Sequence, residues 1–263
     1  MNVLSLFDGM ACGRIALERC GHKVNHYFAS EIDKYAIKVA KANWPDITHI
    51  GDVCDVMWPE TFEGIEIDLL IGGSPCQGFS FAGNQLNFDD PRSKLFWEYV
   101  RLLKETKPRY FLLENVRMKQ QSQDVISEAL GVEPIAINSN LVSAQNRHRL
   151  YWTNISVDSL PDDKGIKLAE IIESGNVDRD KAHCIDANYW KGGNLKSYFE
   201  KNRRQLVFGQ SVNGYRKLSP IECERLQTVP DNYTAHVSNT QRYKMLGNGW
   251  TVDVIAHILK NIE

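Results

Sequence analysis

The segment Gly72-Gly73-Ser74-Pro75-Cys76-Gln77-Gly78-Phe79-Ser80 carries the most specific chemical signal in the chain. It follows a short apolar run at 67–72, so a strand ends just before the thiol. A cysteine at a strand end, fixed by Pro75 and flanked by glycines, is presented to solvent, where a nucleophilic thiolate must sit. Cys12, Cys20, Cys54, Cys184 and Cys223 have no such setting and read as small buried hydrophobes. Glu114 ends the apolar run Tyr110-Phe111-Leu112-Leu113. A carboxyl set among apolar neighbours can hold or deliver a proton, although a plain solvent-facing strand end fits the same residues. Arg147 and Arg149, within Gln145-Asn146-Arg147-His148-Arg149, lie two apart on one face of an entering strand. That spacing suits a carboxylate together with a nucleotide oxygen or phosphate; an isolated pair of this kind also serves as a surface salt bridge.

Three further strand ends carry polar groups. After the first comes Phe7-Asp8-Gly9-Met10-Ala11-Cys12-Gly13, whose glycines permit a tight turn and close backbone approach to a ligand. After the second comes Glu31, and after the third Asp52-Val53. An acid at the second position suits ribose hydroxyls, and one at the third an adenine amino group. The turn lacks the Gly-x-Gly-x-x-Gly spacing of a pyrophosphate site, so an adenosine ligand without phosphates fits better. Glycine turns and acidic strand ends also occur in any α/β fold, so each is weak alone.

The elements that must position these groups alternate. Strands are predicted at 3–7, 26–30, 67–72, 109–114, 134–138 and 149–153. Helices are predicted at 13–19, 33–43, 93–106 (with Ser93 as N-cap) and 123–130. This alternation predicts an α/β fold with a mostly parallel sheet covered on both faces. After about Thr153 the pattern breaks into a stretch with scattered Gly and Pro and weak periodicity. Regular structure resumes at Ser219, which forms a capping box with Glu222, and a last helix is predicted at 251–261. The organisation read from this is a catalytic and cofactor-binding domain at 1–153, an irregular lobe at 154–215, and a closing segment at 216–263.

Composition narrows the classes. With 263 residues, 43% hydrophobic and 24% charged, the chain is an ordinary globular protein rather than a disordered, collagen-like or coiled-coil one. No run of about 18 apolar residues predicts a membrane span, and the N-terminus lacks the basic region of a signal peptide. Six scattered cysteines without a Cys-x-x-Cys pair argue against a disulfide framework or a zinc site, and fit a reducing cytoplasm. Net charge is −2, yet residues 191–217 hold seven positive residues against one negative, a local +6. Tyr189, Trp190, Tyr198, Phe199, Phe208 and Tyr215 lie within or beside this stretch. A basic, aromatic-laced patch is what gripping a phosphate backbone requires; a solvated charged surface is the plainer alternative.

Taken in order, these residues resemble the DNA cytosine-5 methyltransferase family. The likeness rests on Phe7-Asp8-Gly9 with Gly13, then Glu31, Asp52, Ser74-Pro75-Cys76-Gln77, Glu114-Asn115-Val116 and Gln145-Asn146-Arg147-His148-Arg149. It continues through Arg216-Lys217-Leu218-Ser219-Pro220-Ile221-Glu222-Cys223-Glu224-Arg225-Leu226-Gln227 and closes at Gly247-Asn248. It covers nearly the whole chain except about 154–210. Gly247-Asn248-Gly249-Trp250-Thr251-Val252 and Tyr233-Thr234 are also similar to the de novo DNA methyltransferase catalytic domain, while the stretch 79–95 looks more like bacterial and phage modification enzymes. A transfer-RNA methyltransferase branch of the superfamily carries Cys-Phe-Thr and Pro-Pro-Cys elements, neither of which occurs here.

The resemblance implies a Rossmann-like, S-adenosylmethionine-dependent methyltransferase fold with a small irregular target-recognition lobe. It implies a DNA (cytosine-5-)-methyltransferase that acts on duplex DNA, releases S-adenosylhomocysteine and needs no metal. Cys76 would add to C6 of a flipped-out cytosine, Glu114 would donate at N3, Arg147 would orient Glu114, and Arg149 would hold O2. Phe7 would pack on the cofactor adenine, Asp8, Gly9, Met10, Ala11, Cys12 and Gly13 would line its methionine end, and Glu31 would bind ribose. Asp52 and Val53 would hold adenine, with Asn248, Gly249 and Trp250 closing the pocket. The stretch 77–90 would act as a lid, with Gln77 and Ser80 touching DNA. Lys191, Lys196, Lys201, Arg203 and Arg204 would contact phosphates. A monomer in the cytoplasm of a prokaryotic or phage-infected cell, with a cognate restriction endonuclease as candidate partner, completes the expectation.

Overall fold

The computed structural model describes residues 1–75, 94–209 and 214–263. The chain starts with β1 (Asn2–Leu6), α1 (Cys12–Arg19), β2 (His26–Ser30), α2 (Lys34–Asn43), β3 (Thr48–Gly51) and β4 (Leu69–Gly72). Then come α3 (Lys94–Thr106), β5 (Tyr110–Val116), α4 (Gln120–Leu130), β6 (Ile135–Asn138), β7 (Gln145–Asn146) and β8 (His148–Thr153). Among the described residues the main sheet runs β3-β2-β1-β4-β5-β8-β6. Alternation of side chains across each strand builds two apolar layers. Val3, Leu69, Ile71 and Leu112 face one side with α1 and α2. Leu4, Leu70, Phe111 and Leu113 face the other with α3 and α4. Both faces are covered, as a parallel sheet requires.

The expected parallel sheet has one reversal. β8 runs antiparallel to both β5 and β6. The short link from Asn138 to His148, holding the turn Ser139–Leu141, is below the dozen or so residues of a parallel crossover. Asp33 caps α2 by accepting from the Tyr35 N–H at 2.9 Å, and α4 starts three residues earlier than the apolar spacing predicts. The predicted N-cap Ser93 lies outside the described residues.

Beyond β8 lie α5 (Leu168–Ile171), β9 (Ala182–His183), α6 (Leu195–Lys201), β10 (Leu206–Phe208) and β11 (Tyr215–Lys217). The chain closes with α7 (Pro220–Leu226), α8 (Asn239–Asn248) and α9 (Val252–Leu259). The described residues of 154–215 are short of regular structure, yet Leu168, Ala182, Ile185, Tyr189 and Val207 join the buried cluster that holds α1 and α9. The Ser219–Glu222 capping box forms as read, with Pro220 opening α7. Glu222 does more than cap: both its oxygens accept from Arg216 at 2.8 Å. Burial opposes its charge, but Arg216 holds the carboxyl below its ordinary range. No helix among the described residues is long and apolar enough to cross a membrane.

Candidate active site

The turn after β1 is built on unusual backbone. Phe7 and Ala11 sit in the left-handed region at φ 57° and 66°, on either side of Gly9 at 61°. Two non-glycine residues there cost on the order of 1–3 kcal/mol each, which surrounding bonds must offset. Asp8 N–H donates to the Ser30 carbonyl at 3.1 Å, and Gly9 N–H to Glu31 Oε2 at 2.8 Å. Glu31 Oε1 also accepts from the N–H groups of Ile32 and Asp33, at 2.8 Å each. A carboxylate has about four lone-pair sites, so Glu31 locks the β1 and β2 loops together and keeps about one for a ligand hydroxyl. Burial pushes the Asp8 carboxyl up to about 7, with the hydrogen bond from the Tyr27 hydroxyl opposing.

These loops open onto a cavity of about 460 Å³ at the carboxyl ends of β1, β2, β4 and β5. That is where ligands sit in open α/β sheets, beside the point where strand order reverses. Phe7, Asp8, Gly9, Met10, Cys12, Glu31, Asp52, Val53, Asn248, Gly249 and Trp250 all line it, together with Glu114, Arg147 and Arg149. Ala11 and Gly13 are not among the lining residues. Ala11 is buried beneath the turn. Gly13 leaves room for Ile71 and Tyr27, which a side chain there would strike. Asp52 accepts from the Cys54 N–H at 2.9 Å and so caps the short turn after β3.

Glu114, 8% exposed, does not sit among apolar groups. Its Oε1 pairs with Arg149 Nε at 2.9 Å and its Oε2 accepts from Trp250 Nε1 at 3.1 Å. Burial works against the Arg149 charge, but Glu114 holds the guanidinium above its ordinary value. Next on β5, Asn115 Nδ2 donates to the Ser74 carbonyl at 3.2 Å and to its hydroxyl at 3.3 Å. This bond ties the Ser74-Pro75 strand end to the strand that carries Glu114.

The expected contact between Arg147 and Glu114 is corrected by the geometry. Arg147 is 2% exposed and its guanidinium turns away from the carboxylate. Its Nη1 donates to the Ile185 carbonyl at 3.1 Å and to Cys184 Sγ at 3.3 Å. Its Nη2 donates to the carbonyls of Gly247 at 3.2 Å and Gly249 at 2.8 Å. The reason is position: Arg147 falls in the break between β7 and β8, so it does not share the face that Arg149 presents to Glu114. Burial, with Arg149 nearby, lowers its pKa from the ordinary value. Arg147 is therefore a bolt between β8, the segment after β9 and the α8–α9 junction. Cys184, read as a passive apolar filler, is one of its acceptors.

The nucleophile candidate Cys76, and Gln77 and Ser80, lie outside the described residues, as does the proposed lid at 77–90. Of the basic stretch, Lys191, Lys196 and Lys201 are exposed. Arg203 pairs with Asp186 at 3.0 Å, and Arg204 donates to the Gly192 carbonyl at 2.8 Å. Arg216 is spent on Glu222, and Lys217 donates to the Trp190 carbonyl at 2.8 Å. The local +6 therefore overstates the charge offered to a partner. No group of three or more His, Cys, Asp or Glu among the described residues is arranged to hold a metal ion.

Sequence reasoning missed several lining residues. Ile32 is 73% exposed at the cavity mouth, and its only signal was an apolar residue directly after a strand-end acid. Lys244, which pairs with Asp33 at 2.9 Å, reaches the cavity from α8. Behind the lining, Gln227 is fully buried: it donates to Leu246 and Gly249 and accepts from Gln145 and Thr251. Its neighbours Arg225 and Thr228 are polar too, so no local pattern marks it.

The strand order, the reversed β8 and the cavity at the strand ends define a Rossmann-like methyltransferase fold. The sequence profile of the C-5 cytosine-specific DNA methylase family matches residues 1–164 and 164–263. Type II methyltransferase M1.ScrFI of Lactococcus lactis subsp. cremoris is 30% identical over 305 residues, spanning 99% of this chain and 77% of its own. The orphan methyltransferase M.Rho11sI of Bacillus phage rho11s is 35% identical over 225 residues, covering 81% of this chain and 42% of its own. Among solved structures, a mutant of Spodoptera frugiperda DNMT2 superposes with a TM-score of 0.74 at 20% identity, covering 98% of both chains, which speaks to fold alone. The chain belongs to the C-5 cytosine-specific DNA methylase family and is a DNA cytosine-5 methyltransferase.

Proposed function

We propose that this enzyme methylates one cytosine within a specific duplex DNA sequence, with Cys76 as nucleophile, as a modification enzyme of a bacterium or phage. The observation that carries the reading is the juxtaposition, around one cavity, of an adenosine-type site with the Glu114–Arg149 pair. The cavity volume lies within the roughly 300–1,000 Å³ of small-molecule sites. Its donor set fits S-adenosylmethionine: Glu31 for a ribose hydroxyl, Asp52 and Val53 at the adenine end, and the turn at residues 7–12 for the methionine end. Phe7, Asn248, Gly249 and Trp250 wall the pocket. When bound, the cofactor supplies the electrophilic methyl group.

The residues then have the following parts. Cytosine C5 is too weak a nucleophile unaided, so the Cys76 thiolate adds at C6 and shifts electron density to C5. Glu114 holds the proton at N3 as charge develops there. Arg149 fixes Glu114 and faces the base at O2. Once C5 carries the methyl group, loss of the C5 proton to water and then of the Cys76 thiolate restores the aromatic ring. Attack on the ring face requires the base to leave the stack. Residues 154–215 form the target-recognition region, where Lys191, Lys196 and Lys201 contact phosphates and Arg203 joins once Asp186 releases it. The same reading makes the protein a cytoplasmic monomer, with a cognate restriction endonuclease as its candidate partner.

Transfer of labelled methyl from S-adenosylmethionine to duplex DNA, beside transfer RNA, tests this. Label should enter DNA and vanish in Cys76→Ala, whose cofactor affinity should stay within about threefold of wild type. Label confined to RNA, or undiminished in Cys76→Ala, overturns the reading.

A further inference from the structure

We infer that Trp250 is a positioning residue for Glu114, so that the wall of the cofactor pocket sets the orientation of the group that meets the base. The inference rests on the proposed role of Glu114 and adds a residue to it.

Among the described residues, Glu114 Oε1 forms an ion pair with Arg149 Nε at 2.9 Å and Oε2 accepts a hydrogen bond from Trp250 Nε1 at 3.1 Å. These two contacts, from different elements, fix both the position and the rotation of the carboxylate plane, which neither alone does. Arg149 comes from β8, beside Glu114 in the sheet. Trp250 comes from the α8–α9 junction, which also lines the cavity. The indole reaches across the pocket: a Cβ at Gly13, in the cofactor turn, would lie 3.6 Å from Trp250 Cζ3. At its other edge, a Cβ at Gly73 would lie 2.9 Å from Nε1 and 3.1 Å from Glu114 Oε2. Glycine at 73 thus leaves the space in which the hydrogen bond forms.

The backbone that carries the ring is held just as firmly. The carbonyl of Gly249 accepts from Arg147 at 2.8 Å and Gln227 at 3.1 Å. On the far side, Thr251 Oγ1 donates to Gln227 Oε1 at 2.9 Å and accepts from Ser139 Oγ at 2.8 Å. A phenyl ring would line the pocket equally well. Only the indole offers an N–H, and its sole polar group is a donor. A ligand that packs on this ring therefore also orders the carboxylate.

The test uses the full chain, S-adenosylmethionine and unmethylated plasmid DNA. Trp250→Phe keeps the ring and removes the donor. Losing one hydrogen bond to a charged group should lower kcat about tenfold. The Kd for S-adenosylmethionine, read by calorimetry, and the KM for DNA should stay within about threefold. In single turnovers, Trp250→Phe placed on Glu114→Gln should cost less than twofold more, because an amide at 114 cannot hold the N3 proton and its placement no longer governs the rate. Gly73→Ala intrudes on the same bond from the other side and should show the same kcat-selective loss. A kcat within twofold of wild type in Trp250→Phe, a cofactor Kd that rises as far as kcat falls, or full additivity with Glu114→Gln overturns the inference. If Trp250→Phe does not fold, Gly73→Ala decides by the same criteria. Wild-type protein that transfers no methyl to DNA instead overturns the reading in the preceding subsection.

Discussion

Replacing Arg147 by alanine should unfold the protein more readily rather than stop its chemistry selectively. The guanidinium serves the carbonyls of Ile185, Gly247 and Gly249. Gly249 keeps a second donor in Gln227, so two buried carbonyls lose their main partner. Each unsatisfied buried group costs about 1–3 kcal/mol. Relief of the buried charge offsets part of this, since burial already lowers the Arg147 pKa. The net expectation is a loss of about 2–4 kcal/mol, against the roughly 5–15 kcal/mol typical of a folded domain. Urea unfolding followed by far-ultraviolet circular dichroism gives the difference. Because Gly247 and Gly249 flank Asn248 at the pocket, the affinity for S-adenosylmethionine should fall as well. An Arg147→Ala protein with stability within about 0.5 kcal/mol of wild type and unchanged cofactor affinity, yet no methyl transfer, would refute the bolt assignment and restore a direct catalytic one.

Asp8 predicts a pH dependence of the cofactor-free protein. Its folded value of about 7 lies above the ordinary 3.8. A carboxyl raised in this way favours folding fully below about pH 4, and that favour is lost as pH rises through 7. At roughly 1.4 kcal/mol per unit the loss has a ceiling of about 4 kcal/mol. Asp8→Asn should flatten it, so the stability difference between variant and wild type should grow from pH 4 to 8; a difference that stays constant across this range removes the assignment. On the DNA side, Lys201→Ala should weaken binding alike on all sequences and reduce the salt slope of log K by about 1. A change of sequence preference would make Lys201 a base reader.

The gathering of strand-end polar residues around one cavity was legible in the sequence because the fold brings those ends to a fixed place. Short apolar runs of 4–7 residues end in polar groups, and in a parallel sheet those ends converge on one edge. Hence Asp8, Glu31, Asp52 and Glu114 come together around one cavity, although they are spread over more than a hundred residues. The Ser219–Glu222 cap was equally legible, since a capping box is satisfied within four consecutive residues. The irregular region 154–215 was legible only as an absence of period: its buried residues pack partly on one another, as Tyr198 does on Phe208, and partly on the closing helices, as Tyr189 does on Tyr243, so no local pattern marks them.

What the sequence by itself determined is the order of the elements, the layered fold and the inventory of reactive groups, because each depends on local periodicity or on motif spacing. Only the tertiary structure decided which arginine meets Glu114. Arg147 and Arg149 are equivalent as a spacing, but the break between β7 and β8 sends Arg147 to backbone carbonyls and leaves Arg149 facing the carboxylate. It also decided that Trp250, 136 residues from Glu114 in the chain, donates a hydrogen bond to it, and that Arg216 and Lys217 are used inside the fold. Partners so distant in sequence leave no local pattern; they are chosen by the three-dimensional path of the backbone and by the requirement that buried charges and carbonyls find partners.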